Sequence, residues 1–116
     1  MRKFIQSFVF ALRGIGRLLK SERNFRVHAV ALIVVILAGI YYSITLYEWA
    51  LVATVSALVL ALEAFNTAIE MLCNELTMER KRSIMIIKDI SAGAVLLAAI
   101  GAATTGVLIF WKYIFP

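Results

Sequence analysis

Two acids and two side-chain amides stand in one apolar stretch, Ser56 to Asn74. At 100° per residue, Ser56, Glu63, Asn66, Thr67, Glu70 and Asn74 fall within about 100° of arc on a helix. The opposite arc carries Ala61, Phe65, Ile69 and Leu72, so the polar groups form a stripe. A charged side chain at the centre of a bilayer costs roughly 2.5–3.5 kcal/mol on insertion scales, and such a cost asks for a reason. Carboxylates at an edge reached by both water and lipid suit a divalent cation. Magnesium prefers one or two carboxylates and shares its other positions with water and phosphate oxygens. Glu70 and Glu22 are the acids best placed to hold it. Glu63 lies deeper, where loss of water makes a carboxylate a better proton acceptor. Asn66, one turn along, would orient either partner. Lys88, read as the start of a later helix, would neutralise a phosphate with help from the helix dipole. Arg13, on the polar side of the N-terminal segment, is a weaker phosphate candidate. Together these groups point to phosphoryl transfer, which depends on positioning and charge neutralisation more than on covalent chemistry.

The elements that must position them are apolar. The chain has 116 residues, of which 63% are hydrophobic and 16% charged, with a mean hydropathy of +0.93. Soluble domains carry about 25% charged residues, so an all-α integral membrane protein is expected, as one domain over residues 1–116. The net charge of +5 belongs to basic residues grouped beside apolar spans, which favours lipid head groups or a phosphorylated ligand over nucleic acid. Residues 1–20 alternate apolar and basic positions and read as an amphipathic helix lying in the membrane interface, not as a cleavable signal. Ser21 or Asn24 is expected to cap the first membrane span. Spans are predicted at 27–46, 49–72 and 88–111, with 74–87 as the substantial polar connection. Tyr41, Tyr42 and Tyr47 mark an aromatic belt. Cys73 reads as a buried small residue.

Orientation follows from the basic residues. Seven of the 12 Lys and Arg precede residue 27, four lie between 80 and 88, and only Lys112 sits at the other side. The positive-inside rule puts the N-terminus and the 74–87 connection in the cytoplasm and the C-terminus outside. Counting from Trp49, Glu63 lies ~21 Å and Glu70 ~31 Å along the helix, against a hydrocarbon core of ~30 Å. Lys88 and Asp89 lie ~33–35 Å from Trp111. Three segments thus bring acids and a lysine to one level of the membrane.

Each residue also has a plainer reading. Glu63 and Asn66 would serve as interhelical hydrogen-bonding glue, and Glu70 as a solvated helix end. Lys88-Asp89 would be a boundary charge pair, His28 an interfacial histidine, and Arg80-Lys81-Arg82 a topology determinant. No glycine-rich phosphate loop is present, which excludes a Walker-type ATPase or a soluble-kinase fold.

From about Phe8 to Ile109 the sequence resembles the prokaryotic diacylglycerol kinase family, small membrane lipid kinases that include undecaprenol kinases. The resemblance rests on Glu63-x-x-Asn66-Thr67-Ala68-Ile69-Glu70 and on Lys88-Asp89 followed by Ala92-Gly93-Ala94-Val95-Leu96. It also rests on Glu22-Arg23-Asn24-x-Arg26-x-His28, which looks more like the undecaprenol members. It implies an ATP- and Mg2+-dependent kinase acting on a membrane lipid alcohol, diacylglycerol or undecaprenol, in the bacterial inner membrane. By position, Glu63 matches the general base, Glu22 and Glu70 the metal acids, Asn66 the polar residue between them, and Lys88 and Asp89 the nucleotide-contacting pair. Asn74 stands where many relatives have Asp. In Thr77-Met78-Glu79-Arg80-Lys81 only Glu79 fits the family's loop near the nucleotide. The resemblance further implies a homotrimer with active sites shared between protomers. Ala94, Ala98, Ala102 and Gly106 form a small-residue ridge that suits close helix approach, between copies or within one chain. Two competing functions are a small proton-coupled exporter, which would use Glu63 as its proton site but needs a fourth span, and a non-enzymatic membrane assembly subunit.

Overall fold

The computed structural model describes every residue except Thr77 and Arg80. Among the described residues four helices follow one another: α1 (Arg2–Ser21), α2 (Arg23–Tyr42), α3 (Leu46–Leu76) and α4 (Arg82–Ile114). The last three are each long and apolar enough to cross a membrane. At 1.5 Å per residue they run ~30, ~46 and ~50 Å. The chain is therefore an all-helical membrane protein. α3 packs chiefly on α4 and secondly on α2.

α1 buries none of its residues. A bend at Glu22, whose backbone is extended, separates it from α2. The expected side-chain caps are not used there: Ser21 is the last residue of α1 and donates its hydroxyl back to the Arg17 carbonyl at 2.7 Å, while Asn24 already lies inside α2. Arg26 closes the junction, its guanidinium donating to the carbonyls of Leu19 at 3.2 Å and Lys20 at 2.8 Å. Those carbonyls end a helix and would otherwise lack a partner.

The first span ends earlier than position 46, for a local reason. Ser43 takes the left-handed conformation, with φ 52°, its N–H donates to the Ile40 carbonyl, and the Ile44 N–H donates to the Gly39 carbonyl. This pair of bonds is a Schellman stop. α3 begins two residues later with a reciprocal cap. The Thr45 N–H donates to Glu48 Oε1 at 2.9 Å, and the Glu48 N–H donates to Thr45 Oγ1 at 3.3 Å, the capping box of Thr-x-x-Glu. Glu48 also accepts from the Tyr113 hydroxyl at 2.5 Å and from Lys112 Nζ at 3.0 Å, which ties the start of α3 to the end of α4.

This end of the bundle also holds an apolar cluster of Ile44, Val52 and Ile109, joined by Val35, Tyr42, Trp49, Phe110 and Tyr113. A Cβ at Gly39 would stand 2.7 Å from the Trp49 ring, so only glycine lets the indole lie against α2. Of the three belt tyrosines, Tyr41 and Tyr47 are exposed. Tyr42 instead turns inward, its ring 5.8 Å from that of Tyr113. At the opposite end the polar connection is shorter than 74–87. α3 continues to Leu76 and α4 starts at Arg82.

Candidate active site

The polar stripe of α3 faces the protein. Glu63 is 3% exposed, and Asn66, Thr67 and Cys73 are buried beside it. On the opposite arc Phe65 and Leu72 are 66% and 60% exposed. A helix in water would show the reverse; here hydrocarbon is the solvent, so acid and amide turn inward. Ser56 and Glu70 are half-buried, and Asn74, past the apolar part, is exposed.

Glu63 and Asn66 each meet a partner on another helix. The imidazole of His28, on α2, brings Nε2 within 3.9 Å of Glu63 Oε2. The Ser91 hydroxyl, on α4, donates to Asn66 Oδ1, with the Lys88 carbonyl also within 3.3 Å. The sequence alone favours an interfacial role for His28 and gives no reason to single out Ser91. For His28 the available signal is only closeness in sequence: it lies six residues after Glu22, on the segment that approaches Glu63. No sequence signal marks Ser91, because its role depends on the pairing of α3 with α4.

Glu22 and Glu70 are both half-buried and within electrostatic reach of Glu63. Among the described residues no three His, Cys, Asp or Glu side chains form a closed metal shell. Two carboxylates that leave room for phosphate oxygens and water are, by type, a donor set that magnesium accepts.

One turn after Glu70, Lys88 Nζ donates to Asn74 Oδ1 at 2.8 Å. Both line a cavity of about 380 Å³, together with Glu79, Lys81, Ile84 and Met85. Three of the four predicted nucleotide residues therefore share one space at the α3–α4 connection. Asp89 is exposed and turned about 100° from Lys88 around α4. Lys88 does not stand at the start of its helix, contrary to expectation. It lies nearly two turns inside α4, and the dipole effect fades within the first turn, so its own charge must act alone. Arg13 is exposed on α1, its guanidinium 5.6 Å from the Phe10 ring centroid. Thr77 and Arg80, from the connection and its basic run, lie outside the described residues.

Three helices long and apolar enough to cross a membrane, with a buried acid and amide on α3 and a lysine–amide pair at the α3–α4 connection, suit a membrane enzyme handling phosphate. Comparison with known proteins gives the class directly. The profile of the family described as Prokaryotic diacylglycerol kinase matches residues 9–110. The chain is 34% identical over 110 residues to the undecaprenol kinase of Bacillus subtilis, covering 95% of this chain and 89% of that one. It is 37% identical over 101 residues to the diacylglycerol kinase of Synechocystis sp., covering 86% of this chain and 58% of that longer protein. The chain belongs to the prokaryotic diacylglycerol kinase family and is a membrane lipid kinase. Membership sets aside the exporter and the non-enzymatic subunit.

Proposed function

We propose that this kinase transfers the γ-phosphoryl group of ATP to the hydroxyl of undecaprenol at the cytoplasmic face of the bacterial inner membrane. The observation that carries the reading is the burial of Glu63 between His28 and the Asn66–Ser91 pair, one helical run from the Lys88–Asn74 contact. Glu63 takes the proton of the acceptor hydroxyl as its oxygen attacks the γ-phosphorus, and ADP leaves with the bridging oxygen. Asn66 orients the reacting groups. Glu22 and Glu70 would hold a magnesium ion, which when bound neutralises charge on the phosphate oxygens. Lys88, Asn74 and Glu79 frame the nucleotide, with Asp89 and Arg13 as outer contacts. Undecaprenol is preferred to diacylglycerol because the relative named for it is matched over nearly its whole length and because the Glu22–His28 segment looks like that branch.

α1 lies in the cytoplasmic interface with its apolar face toward the acyl chains. The excess of basic residues along α1 and at the starts of α2 and α4 supports cytoplasmic placement of the N-terminus and of the α3–α4 connection. Residues 1–116 act as one domain, and a homotrimer would share active sites between copies.

Purified protein in lipid with labelled ATP and magnesium tests the reading. Label entering undecaprenol faster than diacylglycerol supports it. Equal or reversed preference overturns the acceptor, and no transfer to either lipid overturns the reaction.

A further inference from the structure

A second cavity, of about 280 Å³, opens between α2, α3 and α4. It starts at His28, the residue 3.9 Å from Glu63. Its α3 wall runs from Leu60 back to Val52, away from the α3–α4 connection and ~12 Å into the apolar slab. Apart from His28, only Ser56 and Thr105 bring polar side chains to the lining. The α4 side is made of small residues, including Ala99, Ala102 and Gly106. A Cβ added at Gly106 would meet nothing within 4 Å. The outer half of the small-residue ridge thus opens onto a space within this chain.

Size and lining narrow the occupant. An apolar cavity of about 150 Å³ stays dry and takes up benzene, so this one has room for on the order of ten carbon atoms and a poor hold on water. A helix from a second copy would have to seat polar or bulky side chains against a lining of alanines, valines and leucines, whereas a hydrocarbon chain matches that lining without change. Direction decides the rest. A lipid whose hydroxyl reaches Glu63 must send its hydrocarbon chain deeper into the membrane, and the cavity leaves the Glu63 level in that direction.

We propose that the cavity between α2, α3 and α4 receives the stretch of the acceptor's hydrocarbon chain next to its hydroxyl, so that the enzyme measures how the chain begins. The proposal rests on the lipid-kinase reading of Glu63. It makes Ala99 and Ala102 specificity-determining residues that touch the chain and take no part in the transfer.

The test uses full-length protein in lipid, ATP, magnesium and a series of primary alcohols of increasing chain length. On wild type, kcat/KM rises over roughly the first ten carbons and then levels. Ala99→Leu and Ala102→Leu remove most of that rise, at least ~tenfold, while the rate on the shortest alcohol stays unchanged. A wild-type profile carried over unaltered into both folded variants overturns the proposal and leaves the kinase reading intact. Absence of transfer by wild type to every alcohol overturns both. Should the leucine variants fail to fold, a long-chain alcohol bearing a photoreactive group within its first ten carbons decides on wild type. Labelling of Val59 or Ala102, competed by unlabelled alcohol, supports the site. Labelling elsewhere, or competition by bulk phospholipid alone, overturns it. So does a disulfide between copies formed through Ala102→Cys.

Discussion

The Ser91 hydroxyl donates to the Asn66 side-chain carbonyl oxygen across the α3–α4 interface. With that oxygen engaged, the amide offers its N–H groups to the site, where a carboxylate or a phosphate oxygen would accept them. Ser91 is in this sense a positioning residue. Ser91→Ala should lower turnover roughly five- to tenfold, the kinetic equivalent of about 1 kcal/mol for one lost hydrogen bond, with the KM for ATP unmoved. Ser91→Thr should restore most of the rate. A Ser91→Ala enzyme as fast as wild type would show that Asn66 orients itself.

Glu63→Gln keeps the shape and removes the proton acceptor. Turnover should fall ~10²–10⁴-fold while nucleotide binding persists, as measured by phosphate transfer beside a direct ATP-binding assay. Unchanged turnover would remove the base assignment. Glu70→Gln, by contrast, should raise the magnesium concentration needed for half-maximal rate; an unmoved magnesium curve counts against its role as a ligand.

Lys88 is tied to Asn74 at 2.8 Å on the wall of the cavity at the α3–α4 connection. Lys88→Met should raise the KM for ATP by about tenfold, the scale of one charge-assisted hydrogen bond of ~1.5 kcal/mol. Asn74→Ala, which leaves the lysine in place, should raise it less. If the two variants act equally, the lysine reaches the nucleotide only through Asn74.

Two glycines separate packing from propensity. Gly39→Ala forces a methyl group into the Trp49 ring and should destabilise by about 1–3 kcal/mol. Gly101→Ala places its Cβ where nothing lies within 4 Å and should be neutral or slightly stabilising, up to about 1 kcal/mol from helix propensity. Unfolding of both variants in the same detergent checks the pair. Equal stability would mean that the indole moves aside freely.

The inward face of α3 is legible in the sequence because a polar stripe in an apolar helix has only one place to go. Glu63, Asn66 and Thr67 are buried where the 100° arithmetic puts them. Three features are harder to read. The end of α2 at Tyr42 depends on Ser43, a residue with no strong preference for the left-handed region it occupies. Glu48 escapes notice although Thr45-Leu-Tyr-Glu48 spells a capping box, since the flanking tyrosines draw the reading toward a membrane belt. Ser91 and His28 owe their place to the pairing of one helix with another, which spacing along a single helix does not encode.

The Glu48 knot with Lys112 and Tyr113 sits beside a connection of only three residues between α2 and α3. All three spans are pinned together at that extremity, as tongs are at the pivot. Any parting of α2 from the α3–α4 pair to admit a bulky acceptor or release its product would therefore widen away from that knot, toward the side on which Glu63 and Lys88 stand. The jaws of the molecule are where its chemistry is.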